Sequence, residues 1–107
     1  MKLWLDDQWD TRPERKPPEG WIPVKTAQEA IDILKTGLVD EASFDHDLGD
    51  EASGVGNGYQ VAVWVERAAH DKIIPRFTWH IHTKNRVGRG NMQAALQNAD
   101  YFWDQYA

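Results

Sequence analysis

Apolar and polar positions alternate along the chain in short blocks. Residues Lys2–Leu5 form a brief apolar run that ends at Asp6-Asp7, the pattern of a buried strand meeting a polar edge. Residues Gln8–Gly20 carry Pro13, Pro17 and Pro18 among many charges and predict a loop, since proline breaks a helix interior. Trp21–Lys25 predicts a second short strand, and Pro23 assigns it to a sheet edge. Thr26-Ala27-Gln28-Glu29 reads as a capping box. Ala27, Ala30, Ile31 and Leu34 then follow at helical spacing and Gly37 supplies a left-handed stop, which predicts a helix over Thr26–Thr36. Ala42-Ser43-Phe44 predicts a third strand. The glycine-rich stretch Gly49–Gly58 reads as a loop covering the strand ends. A helix is expected from about Asn57 to His70, with Val61, Trp64, Val65, Ala68 and Ala69 on one stripe. Beyond Pro75, Phe77, Trp79 and Ile81 alternate with Thr78, His80 and His82, predicting a strand over Arg76–His82. A last helix is expected over Gly90–Trp103, with Met92, Ala95, Leu96, Ala99 and Trp103 inward. The order β, loop, β, α, β, α, β, α predicts an α/β domain with a mostly parallel sheet and right-handed crossovers. Ligands of such sheets bind beyond the carboxyl ends of the strands.

The chain has 107 residues, so residues 1–107 are read as a single domain. A net charge of −5 argues against an extended nucleic-acid surface, which needs many phosphate contacts, but leaves room for one local basic patch. The absence of cysteine excludes disulfides, thiolate zinc sites and cysteine nucleophiles. Any metal must be held by oxygen or imidazole. The apolar runs are too short to cross a membrane, and the start lacks a signal-peptide pattern. The expectation is a cytoplasmic protein with no membrane partner. Six tryptophans are best used to fill a small core. Trp103 is assigned there; Trp9, Trp21, Tyr101, Phe102 and Tyr106 stay open between core, substrate platform and dimer surface.

Three polar clusters fall at strand ends: Asp6-Asp7, Asp45-His46-Asp47, and His80, His82, Thr83, Lys84 and Asn85. Parallel adjacent strands bring all three to one rim. Crowded carboxylates coexist only if protonated, paired with cations or holding a metal. Each cluster alone is also compatible with a solvated strand end; the coincidence of Asp-Asp with Asp-His-Asp favours a site. His80 and His82 project to one side of their strand. Such a pair suits a metal or a phosphate, or packs quietly in the fold. Lys84, Arg86 and Arg89, leading into the last helix, suit an anion such as phosphate. The glycine-rich loop lacks the Gly-Lys-Ser/Thr of a P-loop, and no serine stands in a nucleophile-elbow motif.

The joint pattern of Leu3-Trp4-Leu5-Asp6-Asp7, Gly20-Trp21, Phe44-Asp45-His46-Asp47-Leu48-Gly49, Gly58-Tyr59, His82-Thr83-Lys84-Asn85 and Gly88-Arg89-Gly90-Asn91-Met92 resembles the cyclic-phosphate-processing receiver-like domain family, small proteins of bacteria and phages. The resemblance spans nearly the whole chain. It implies a three-layer receiver-like (flavodoxin-like) α/β fold with a short, mostly parallel sheet of about four strands and the first helix replaced by the loop Gln8–Gly20. In receivers an acidic pair after the first strand and an Asp after the third hold a divalent cation, and that Asp accepts a phosphoryl group. By position these are Asp6, Asp7 and Asp45, and Thr83 falls where receivers keep a Ser or Thr. The chain lacks a fifth strand with the receiver lysine, and His46, Asp47 and Asn85 are additions that phosphoacceptor signalling does not require. The expectation is a metal-dependent phosphoesterase acting on a cyclic phosphate of a nucleotide or RNA end. Asp6, Asp7, Asp45 and Asp47 would hold Mg²⁺ or Mn²⁺. Asp45, His46 and His82 would carry the chemistry, with an imidazole as general acid or base. Thr83, Lys84, Asn85 and Arg89 would bind phosphate oxygens. The alternatives are a module that binds a phosphorylated nucleotide or a protein without turnover, such as a phage factor acting against host signalling, and a degenerate phosphoacceptor domain.

Overall fold

The computed structural model describes residues 1–48 and 57–105. Most of the glycine-rich cover (Gly49–Gly56) and Tyr106 lie outside the described residues. Four strands, β1 (Lys2–Leu5), β2 (Trp21–Val24), β3 (Glu41–Phe44) and β4 (Thr78–Ile81), form one all-parallel sheet in the order β2-β1-β3-β4. Pro23 does lie on an edge strand, as a residue without an N–H requires. Three helices, α1 (Ala27–Leu34), α2 (Gly58–His70) and α3 (Arg86–Gln105), complete the fold. Where receivers place their first helix, the loop after β1 carries only a 3-10 turn, Pro13–Arg15.

The chain steps one way along the sheet from β1 to β2 and the other way from β2 to β3 and from β3 to β4. Right-handed crossovers therefore place the proline-rich loop on one face and α1 and α2 on the other, where α3 packs against α2. Alternate strand residues obey this division. Leu3, Leu5, Val24, Ala42, Phe44 and Ile81 enter the core with Leu34, Val61, Val65, Met92 and Leu96 from the helices. Lys2, Trp4, Trp21, Glu41, Ser43 and His80 face the loop side, where Lys2 and His80 stay exposed.

Local signals account for α1. The Thr26 hydroxyl accepts from the Glu29 N–H at 3.1 Å, and Gly37 takes φ +72 beyond the helix end. Asn57 caps α2 through a capping box with Gln60. Trp103 is buried, its indole donating to the Ile74 carbonyl at 3.2 Å, whereas Tyr101 is exposed. Several boundaries differ from expectation, those of β4 and α3 among them. β4 is shorter than Arg76–His82, running from Thr78 to Ile81 with Phe77 buried just before it. α3 begins at Arg86 rather than Gly90: Asn85 caps it, its Oδ1 accepting from Gly88 N–H at 2.9 Å. Arg86 and Arg89 are thus helical residues, not parts of a turn.

Candidate functional site

The register aligns Leu5 with Phe44 and Phe44 with Ile81. The next residues, Asp6, Asp45 and His82, therefore leave the sheet side by side. The ladder continues through them, with Asp6 N–H on Val24 O, Asp45 N–H on Leu5 O and His82 N–H on Phe44 O. Asp6 and Asp45 are fully buried and Asp7 is half-buried. One oxygen from each of the three carboxylates lies within 4.8 Å of the others. This is a hard-oxygen donor set of the kind Mg²⁺ and Mn²⁺ prefer. Burial, and then the charge of Asp6, raises the Asp7 carboxyl above its ordinary range. Asp45 is likewise raised by burial, against the pull of Arg15 and with a smaller push from Asp6.

The carboxylates are paired with a cation that comes from the proline-rich loop. Arg15 Nε donates to Asp6 Oδ2 at 2.9 Å and Nη2 to Asp45 Oδ2 at 2.5 Å, while Nη1 donates to Gln8 Oε1 at 3.0 Å. The Trp4 indole holds the Arg15 carbonyl at 3.1 Å. Burial works against the guanidinium's charge, but Asp45 and Asp6 more than offset it and its pKa rises. Sequence reasoning missed Arg15. No motif marks it out from Arg12 and Lys16; the one signal was the need of buried carboxylates for a counter-charge.

His82 is locked between three strands. Its ring stacks on Trp4, with centroids 4.1 Å apart and planes 7° apart. Nδ1 meets Ser43 Oγ at 2.7 Å and Nε2 meets Asp6 Oδ2 at 3.2 Å. The carboxylate requires a proton on Nε2, so Ser43 donates to Nδ1. Burial lowers the His82 pKa and Asp6 only partly offsets it, so the ring is neutral near neutral pH. Both nitrogens are engaged, and among the described residues Asp6 and Ser43 are the side chains that meet them. Ser43 and Trp4 were also missed, because a buried strand reading hides which of its side chains face a site.

His46 stands differently. Its Nδ1 bonds Asp47 Oδ1 at 2.8 Å, and Asn85 Nδ2 approaches the same oxygen at 3.4 Å. That bond lowers the Asp47 pKa and fixes a proton on Nδ1, leaving Nε2 as the basic nitrogen. Asp47 is thus committed to His46 and lies outside the three-carboxylate set. The ring packs so closely on Gly88 that a Cβ there would sit 2.4 Å from it. Thr83 lies near Asp45 and lowers its pKa slightly, and its Oγ1 accepts from Asn85 N–H at 3.2 Å.

Lys84 borders a cavity of about 290 Å³ with Trp4, Gln8, Arg12, Glu14, Arg15 and His82, the last two of which touch Asp6. Arg89 stands at the carboxyl end of β4 but on its outer edge, and it does not line that cavity. Its guanidinium donates to the Ile81 carbonyl at 3.0 Å, because the earlier start of α3 puts it beside the outer edge of β4. His80 pairs with Glu41 at 2.7 Å on the exposed part of the sheet, away from the cluster.

No curated protein and no solved structure matches the chain. No helix among the described residues is long and apolar enough to cross a membrane. The model of the cyclic-phosphate processing receiver domain matches residues 1–98. With an all-parallel receiver-like sheet, a missing first helix and the acidic residues at the strand ends where receivers carry theirs, the chain belongs to the cyclic-phosphate processing receiver domain family.

Proposed function

We propose that this domain is a metal-assisted phosphoesterase that opens a cyclic phosphate on a nucleotide or an RNA end. The observation that carries the reading is the meeting of Asp6, Asp7 and Asp45 within 4.8 Å at the ends of adjacent strands, next to the His46–Asp47 pair. Asp6, Asp7 and Asp45 would hold Mg²⁺ or Mn²⁺, and when bound such a cation polarises phosphate and lowers the pKa of water. His46 is the general acid or base: Asp47 sets its tautomer, and Nε2 moves the proton. His82 positions Asp6 rather than exchanging protons with substrate. Lys84 and Arg12 bring positive charge to the adjoining cavity, partly offset by Glu14, and Asn85 holds Asp47.

The test is product formation from 2′,3′- and 3′,5′-cyclic nucleotides and cyclic-phosphate-ended RNA, with Mg²⁺ or Mn²⁺, with EDTA, and with Asp45→Asn. Turnover should require the cation and vanish in the variant while its circular dichroism stays native. Wild-type turnover by Asp45→Asn would sink the assignment. A second reading, a binding module without turnover, draws on the Arg15 bridge, which already pairs with both Asp6 and Asp45. Ligand capture with no product over hours would establish it. Phosphoacceptor chemistry at Asp45 is disfavoured by burial and by the engagement of both its oxygens, Oδ1 with His46 N–H and Oδ2 with Arg15.

A further inference from the structure

Two buried carboxylates at the ends of neighbouring strands need a positive charge between them. Arg15 provides it through Asp6 Oδ2 at 2.9 Å and Asp45 Oδ2 at 2.5 Å. A divalent cation held by the same two residues would confront that guanidinium at contact distance, and like charges there repel strongly. The two cations are alternatives. Arg15 also has somewhere to go. Its backbone is pinned to β1 through Trp4, but its side chain keeps 27% exposure and borders the cavity shared with Gln8, Arg12 and Lys84. It rises from a 3-10 turn of three residues on the loop side, not from a packed helix.

We propose that Arg15 is an exchangeable internal counter-ion. It offsets part of the charge of Asp6 and Asp45 when no metal is bound and yields them to a divalent cation, so the affinity for that cation is set by competition with the guanidinium. The inference rests on the metal reading above. It assigns a role to a residue of the loop that replaces the first helix.

The experiment titrates Mn²⁺ calorimetrically into the intact wild type, Arg15→Gln and Arg15→Lys, and follows thermal melting with and without Mn²⁺. Arg15→Gln should bind Mn²⁺ tighter by about tenfold or more. Arg15→Lys, which keeps the charge but loses the fork, should fall between. Without Mn²⁺, Arg15→Gln should melt below the wild type, and saturating Mn²⁺ should raise its midpoint by more than it raises that of the wild type. Equal affinities for wild type and Arg15→Gln would overturn the exchange and leave the metal reading standing. No uptake by any of the three proteins would overturn both. A Gln variant that folds only with Mn²⁺ supports the exchange. If it does not fold even then, the Lys variant decides, and a wild-type affinity there overturns the proposal.

Discussion

A methyl group at position 58 would lie 1.9 Å from the Asp45 carbonyl oxygen, and one at position 88 would lie 2.4 Å from the His46 ring. Neither glycine is chosen for a left-handed backbone; each is chosen because a site residue occupies the space of its side chain. The two obstacles differ in kind. The His46 ring can shift, at the expense of its alignment with Asp47. The Asp45 carbonyl belongs to backbone that continues the β3 ladder and cannot. Gly88→Ala should therefore cost about 1–3 kcal/mol by overpacking, and Gly58→Ala more, as read from urea midpoints. Gly88→Ala should also reduce turnover by moving His46. The sequence marks Gly58 as one glycine of a rich stretch and, like Gly88, as part of a family-like motif. The reason for each lies in a residue far along the chain.

At the level of elements, Asn85 joins the site to α3. Its Oδ1 caps the helix at Gly88 N–H, and its Nδ2 reaches Asp47. Asn85→Ala should cost about 1 kcal/mol through the lost cap, while Asn85→Asp, which keeps the acceptor, should retain most of it. Denaturant unfolding distinguishes the two. α1 was legible because its Thr26 cap, apolar spacing and terminal glycine all lie within a dozen residues. The start of α3 was not. Arg86–Arg89 shows little apolar periodicity, and Gly88 and Gly90 weaken any helical reading. The helix forms there because Asn85 supplies the cap and the His46 ring fills the space beside Gly88. The second of these contacts is long-range.

For the molecule as a whole, His82 ties three strands together through Asp6 of the β1 end, Ser43 of β3 and its own place after β4. Burial keeps it neutral in the folded protein to a lower pH than in the unfolded chain. On acidification the unfolded chain takes up the proton first. The stability contributed by neutral His82 is thus complete above about pH 6.5 and is lost as pH falls through the lowered folded value. Melting midpoints should drop as pH falls below about 6.5, and His82→Gln should flatten that drop. An unchanged slope in the variant would place the acid sensitivity elsewhere.

The strand and helix order, the parallel sheet, the edge position of β2 and the convergence of the acidic residues followed from the sequence, because each rests on local periodicity, proline chemistry or the rule that parallel strands share a carboxyl end. Family membership was legible for the same reason: its motifs are short runs at those strand ends. Only the tertiary structure decided how the charges are settled. It brought Arg15 across from the loop to Asp6 and Asp45, enclosed His82 between Trp4 and Ser43, and turned Arg89 away to the outer edge of β4. Ion pairing and burial depend on which side chains meet in space, and a run of charges in a proline-rich loop does not encode which of them will turn inward.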